Sequence, residues 1–209
     1  MTSTNSMVET QRNMSGPETI GQAIRSRRSA KRVLQTPIDR ATIERLLEAA
    51  TWAPSHHLTE PWRFWVIRGD ARRRFGEAMA AGDLSTHQDA TPEQRETMRA
   101  SAIGKAHRAP LIIAVAAVMA EGNKNPDVEE ITATAAAIQN LLLQAEAEGL
   151  GTIWRTGRSA YEPEMARFFG LGERDQMLGF LYIGHPDPDA PARTSERRPL
   201  DQVTTWLDD

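Results

Sequence analysis

Apolar positions recur along this chain with two periods, and the change from one to the other marks its elements. Ile20, Ala23 and Ile24 make an i, i+3, i+4 stripe, a short helix for which Ser15 and Glu18 form a capping box and Pro17 stands in the first turn. Thr36-Pro37-Ile38-Asp39 is a turn closing on an N-cap, and Ile43, Leu46, Leu47 and Ala50 predict an amphipathic helix over 40–52, ended by Pro54. The loop 53–62, bracketed by Pro54 and Pro61, leads into a strand from Arg63 to Ile67; polar loops beside strands are where binding residues gather. Asp70 caps a further helix that buries Phe75, Ala78 and Met79. The polar segment 82–90 reads as a mobile excursion, and Thr91-Pro92-Glu93 restarts a helix to about Lys105. Leu111 to Val118 is an unbroken apolar run, too short to span a bilayer, and predicts a strand covered on both faces.

In the second half, Asp127 and Glu130 form a capping box for a long helix in which Ile131, Ala135, Ile138, Leu142 and Ala145 share one face, widened by Leu141 and Leu143. The small residues 133–137 let a second helix approach closely, from the same chain or from another copy. Gly149-Leu150-Gly151 ends the helix, and a short strand turning into a loop follows over 152–157. These glycines come after a helix and before a strand, the reverse of a dinucleotide fingerprint, so that reading is excluded. Ser159 and Glu162 cap a last short helix ending at Phe168-Phe169-Gly170, and Met177 to Gly184 is a clear strand. The tail from His185 has no core pattern until Val203, Trp206 and Leu207, and is expected to cross a surface and dock at its end. Helices and strands alternate without a repeat, which fits a single mixed sheet covered by helices.

A chain of 209 residues supports one sizeable core. It contains no cysteine, which excludes disulfides, thiolate nucleophiles and cysteine-ligated metals. Residues 1–16 have no apolar run suited to a signal peptide or membrane span and read as a disordered leader on a cytoplasmic protein. With 25 Lys and Arg against 28 Asp and Glu, the run Arg25-Ser26-Arg27-Arg28-Ser29-Ala30-Lys31-Arg32 stands out. It lies at a helix C-terminus, where the macrodipole is negative, so side chains must supply the charge that holds an anion. Such cations also stabilise a helix end with no ligand at all, a reading that suits Arg25 and Arg32. Arg27 and Arg28 beside Ser29 suit the oxygens of a phosphate or the edge of a flavin ring. A nucleic-acid patch would need more positive surroundings. The pair His56-His57 has no further ligands at a recognisable spacing, so no metal site is assigned. Trp52, Trp62 and Trp65 cluster around the loop as stacking platforms or core, with core favoured for Trp65. Lys124 is open to a cleft entrance or to solvent.

Four stretches occur in a familiar order: Arg27 to Arg32; Ala53-Pro54-Ser55-His56 with Pro61-Trp62-Arg63-Phe64; Ala136 to Leu143 running into Gly149 to Arg155; and Gly179 to Gly184. Through them the chain resembles the FMN-dependent nitroreductases, and among these the small YdjA-type members, over most of residues 17–185. The resemblance implies an α+β fold with a mixed, mostly antiparallel central sheet flanked by helices, a domain-exchanged homodimer, and one FMN in each of two interface clefts. The flavin-binding domain would span 17–185, and the tail 186–209 would pack on the dimer. By the same resemblance Arg27, Arg28 and Ser29 contact FMN, Trp52 and His56 come from the partner subunit or the loop beside the ring, and Trp154, Arg155 and Thr156 line the isoalloxazine or the phosphate. Arg197 or Arg198 would reach the phosphate. The implied activity is ping-pong hydride transfer from NAD(P)H through FMN to a small electron-poor acceptor such as a nitroaromatic or quinone, with no nucleic acid or membrane partner. The flavin carries the chemistry, so no catalytic side chain is assigned. Arg27 and Arg155 would stabilise anionic reduced flavin. A flavin store or sensor, and a specialised dehalogenase-like member, are the alternatives. Two departures stand out: Trp154-Arg155-Thr156 replaces the acidic segment of larger nitroreductases, and histidines occupy 56 and 57 where many members carry asparagine.

Overall fold

The apolar run at 111–117 becomes the strand against which most other elements are placed. The computed structural model describes residues 19–120, 122, 126–191 and 194–207. Four strands, β1 (Trp62–Arg68), β2 (Leu111–Ala117), β3 (Gly151–Arg155) and β4 (Gln176–Gly184), form one sheet in the order β1-β2-β4-β3. Every strand pairing is antiparallel, and the only parallel contact among the described residues is an isolated bridge from Ser29 to Thr152. The fold is thus the expected α+β sheet flanked by helices, with less of a mixed character than alternating elements suggested.

All seven residues of β2 are buried, as the unbroken run predicts. Side chains alternate across a strand. Leu111, Ile113, Val115 and Ala117 pack with α2 (Arg40–Thr51) and α5 (Asp127–Ala147), while Ile112, Ala114 and Ala116 pack with α3 (Ala71–Ser85), α4 (Pro92–Ala106) and α7 (Pro163–Phe169). An antiparallel sheet often leaves one face wet; here helices cover both. Trp65 stacks 4.9 Å from Phe169 and Trp62 is buried, so these two tryptophans belong to the core. None of the described helices is long and apolar enough to cross a membrane.

Several local expectations change. The helix α1 (Ile20–Ser26) is capped by Thr19, whose hydroxyl accepts from the Gln22 amide while the Gln22 side chain accepts from the Thr19 amide. The Ser15–Glu18 box and Pro17 lie outside the described residues, as does Lys124. Asp127 and Glu130 do not form a box: α5 begins after Pro126 without a side-chain cap, and Glu130 is buried on the apolar stripe it shares with Thr134, Ala137, Ile138 and Leu141. Segment 82–90 is not an excursion from its start, because α3 continues to Ser85. Ser159 lies inside a separate turn of helix, α6 (Arg158–Tyr161), and α7 begins at Pro163 with no side-chain bond from Glu162. Val203, Trp206 and Leu207 are 62%, 75% and 93% exposed, so the tail does not dock its apolar end on its own chain.

Candidate functional site

The edge strand β3 and the segment leaving α1 meet side by side. Ala30 N donates to Thr152 O at 2.8 Å beside the Ser29–Thr152 bridge, and Ser26 Oγ donates to Glu146 Oε1 at 2.8 Å near the C-terminal end of α5. The chain then turns back to β4, where Leu34 N donates to His185 O and Arg32 pairs with Asp187 at 2.8 Å. Arg32 therefore holds Asp187 rather than the helix end its ligand-free reading assigned, since α1 stops at Ser26. Arg28 is divided: its Nη1 donates to Arg25 O (2.6 Å) and Arg27 O (3.0 Å), serving carbonyls that a helix end leaves open, while its Nε is buried without an acceptor. The half-buried Arg27 guanidinium has no hydrogen bond or ion pair with any described residue.

At the other end of β3, Arg155 lies over the face of Tyr182, its Cζ 5.6 Å from the ring centroid, and its Nε too is buried without an acceptor. Burial pushes the Tyr182 hydroxyl above the ordinary phenol range, opposed by the nearby Arg155 and Arg108 charges. Trp154 points to the opposite face of the strand and donates its indole N–H to Leu178 O at 2.8 Å. Leu178 is the extra residue of a β-bulge, where the β2–β4 register slips between Val115 and Ala116. Gly179 follows it with φ +123°, and a Cβ there would stand 2.5 Å from Arg155 O and 2.9 Å from Trp154 Nε1. The bulge and this glycine thus shape the end of β3 from which the exposed Thr156 continues.

Trp52 and His56 lie elsewhere. Trp52 is 80% exposed at the C-cap of α2, and His56 Nε2 is 3.6 Å from Glu129 Oε2 at the start of α5. Ser26 meets α5 at residue 146 and His56 meets it at residue 129; seventeen residues at 1.5 Å each put these points about 25 Å apart. Thr152 and Arg155 are separated by only about 10 Å of strand. One chain therefore gathers Arg27, Arg28 and Ser29 with Trp154, Arg155 and Thr156 along the β3 edge, and holds Trp52 and His56 at a distance.

The loop carrying His56 is held by residues the sequence reading passed over. Thr59 Oγ1 donates to the buried Glu130 (2.6 Å), Ser55 Oγ lies 3.2 Å from Thr59 Oγ1, and Glu60 N donates to Ser55 Oγ (2.9 Å). The available signal was spacing, since Glu130 stands four and eight residues before Thr134 and Ile138. Gly179 was visible only as part of a strand.

The donors beside β3 suit an organic group rich in oxygen. Arg27 and the Nε atoms of Arg28 and Arg155 offer charged N–H groups with no acceptor among the described residues, and for the two buried Nε atoms this costs about 1–3 kcal/mol each unless something bonds to them. Phosphate oxygens, carbonyls or an anionic ring edge would satisfy them, and a metal cation would be repelled. No cluster of three or more described His, Asp or Glu residues is arranged to hold a metal.

Known proteins share the sequence pattern and the fold. The nitroreductase family profile matches residues 24–185. YdjA of Escherichia coli (strain K12), which bears an NAD(P)H nitroreductase name, is 33% identical over 183 residues, covering 86% of this chain and 94% of that protein. A nitroreductase-like protein from Bacillus cereus superposes with a TM-score of 0.79 at 27% identity, covering 94% of this chain and all of the other. A Desulfovibrio desulfuricans protein described as a nitroreductase in complex with FMN has a TM-score of 0.69 at 28% identity, covering 92% and 98%. The chain belongs to the nitroreductase family and is an oxidoreductase of that family.

Proposed function

We propose that the protein is an NAD(P)H-dependent FMN oxidoreductase that reduces electron-poor acceptors such as nitroaromatics and quinones by a ping-pong cycle, working as a homodimer with two shared sites. The observation that carries this reading is the set of guanidinium donors beside the β3 edge that no described protein group satisfies. Arg27, Arg28 and Ser29 would hold the phosphate and pyrimidine side of FMN, with Trp154, Arg155 and Thr156 along the ring. When bound, FMN supplies two-electron transfer between NAD(P)H and the acceptor. The arginines neutralise charge that develops on the ring, and the sheet behind them closes one side to water.

The separation of Trp52 and His56 from Arg27 supports a site completed by a second chain. So do the apolar side chains left open near both ends of α5: Ile20, Leu58 and Val128 are 77%, 82% and 61% exposed. Two antiparallel α5 helices related by a two-fold axis would bring the residue-146 end of one beside the residue-129 end of the other. The tail 186–209, with Trp206 and Leu207 exposed, would pack on the dimer.

The test is spectroscopic. Purified protein loaded with FMN should show flavin absorbance that NAD(P)H bleaches anaerobically and p-benzoquinone restores. Bound flavin that NAD(P)H does not bleach would leave a store or sensor, and a protein that does not retain FMN would refute the proposal.

A further inference from the structure

We propose that Glu130 is a positioning residue for this site: through Thr59 and Ser55 it holds the loop 55–60 in the strained shape that presents His56 and Leu58 at the neighbouring chain's acceptor cleft. The inference rests on the shared-site reading above, but its geometry stands on this chain alone.

His57, Leu58 and Glu60 all adopt left-handed backbone conformations, with φ of 51°, 55° and 45°. Side chains with a Cβ rarely take such angles, and a leucine side chain has no polar atom with which to favour them. Three in four residues persist only where surrounding contacts impose them. Backbone bonds from Leu58 N to Ser55 O (3.2 Å) and from Thr59 N to His56 O (3.3 Å) close the turn, and a directional chain of side-chain hydrogen bonds ties it to α5. The Glu60 amide donates to Ser55 Oγ, which frees the Ser55 hydroxyl proton to point at Thr59 Oγ1, and the Thr59 hydroxyl donates to Glu130 Oε2. Each hydroxyl has one proton, so the series needs a terminal group that accepts, and Glu130 is that group. The anchor is stiff: Glu130 is 1% exposed, its carbonyl accepts from Thr134 Oγ1, and it lies in the first turns of α5, where the helix dipole favours a carboxylate. The loop it holds carries Leu58 at 82% exposure and His56 against Glu129, neither buried by its own chain.

The test compares Thr59→Val, Glu130→Gln and Glu130→Leu in the full-length FMN-loaded protein. Valine keeps the shape of Thr59 without its hydroxyl. Glutamine keeps an accepting oxygen at the end of the series, and leucine removes it. Amide exchange at Leu58 and Glu60 should accelerate about tenfold or more in Thr59→Val and Glu130→Leu, the scale set by losing a bond to a charged acceptor. In the same two variants kcat/KM for p-benzoquinone should fall by a similar factor. Glu130→Gln should lie within about threefold of wild type on both readouts, the rescue that packing alone would not give. Unchanged exchange in Thr59→Val overturns the proposal, and so does a Glu130→Gln variant as impaired as Glu130→Leu. A wild-type chain that binds no FMN would sink the functional reading, while the exchange data would still decide whether Glu130 sets the loop.

Discussion

Replacing Gly179 by alanine tests how closely the fold and the site are joined. The backbone there has φ +123°, a region L side chains rarely enter, which costs about 1–3 kcal/mol. The added Cβ would lie 2.5 Å from Arg155 O, 2.9 Å from Trp154 Nε1 and 3.1 Å from Thr156 Cγ2. Two of these are backbone or ring atoms with no easy escape, so the end of β3 must move by several tenths of an ångström. That displacement breaks the indole bond to Leu178 O, adding about 0.5–1.5 kcal/mol. Together the terms give a loss of about 2–4 kcal/mol, close to the range where single substitutions become diagnostic. Urea unfolding followed by far-UV circular dichroism measures the loss, and FMN titration of the same variant measures damage to the site. Gly179→Ala with stability within about 0.5 kcal/mol of wild type and unchanged FMN affinity would refute the reasoning.

Gly76→Ala is the matching control, because its Cβ would stand 2.7 Å from Ile103 Cα where α3 crosses α4: it should destabilise the fold yet leave FMN affinity intact, as read by the same pair of assays. Arg27→Ala should weaken FMN binding by about 10- to 150-fold in fluorescence titration, from the loss of charged hydrogen bonds worth about 1.5–3 kcal/mol, while the melting temperature stays put because Arg27 bonds no described residue. Leu141→Ala, deleting a fully buried side chain between α5 and the sheet, should cost about 2–5 kcal/mol in urea unfolding. Hydrogen bonds from Arg45, at 2.9 and 2.6 Å, hold the Glu148 carboxyl below the ordinary glutamate range. The stability this pair contributes is therefore present above the ordinary glutamate pKa and is lost as pH falls through the depressed value. Arg45→Met should lower stability at neutral pH and flatten the acid limb of the stability–pH curve in that window, so that the two proteins converge at low pH.

Elements with a long, clean period were legible in the chain. β2 was, because seven consecutive apolar residues suit burial on both faces, and so were α2, with Asp39 as its cap, and α4, with Thr91 as its own. Caps were read less well where two polar residues at the right spacing had other uses: Glu130 was needed by Thr59 in the interior rather than by the first turn of α5. The cationic run was conspicuous, yet its division of labour was not. Arg28 closing α1 and Arg32 reaching Asp187 depend on how the segment turns back from β3 to β4. The bulge at Leu178 and the left-handed loop at 57–60 leave no periodic trace, since both arise from tertiary contacts. Ile20 and Ile24 read as a buried stripe, but this chain leaves them 77% and 55% exposed, which a second copy would explain.

The claim that matters most is that Arg27 of one chain and Trp52 with His56 of another build the same site. A heterodimer of an Arg27→Ala chain and a chain carrying Trp52→Ala with His56→Ala tests it directly. If the sites are shared, one of them combines all the substitutions and the other has none, so the heterodimer should bind one FMN per two chains with wild-type affinity and reduce p-benzoquinone at the wild-type rate per bound flavin. If each chain builds its own site, no intact site exists, and a heterodimer lacking both the wild-type affinity and the wild-type rate would contradict the account.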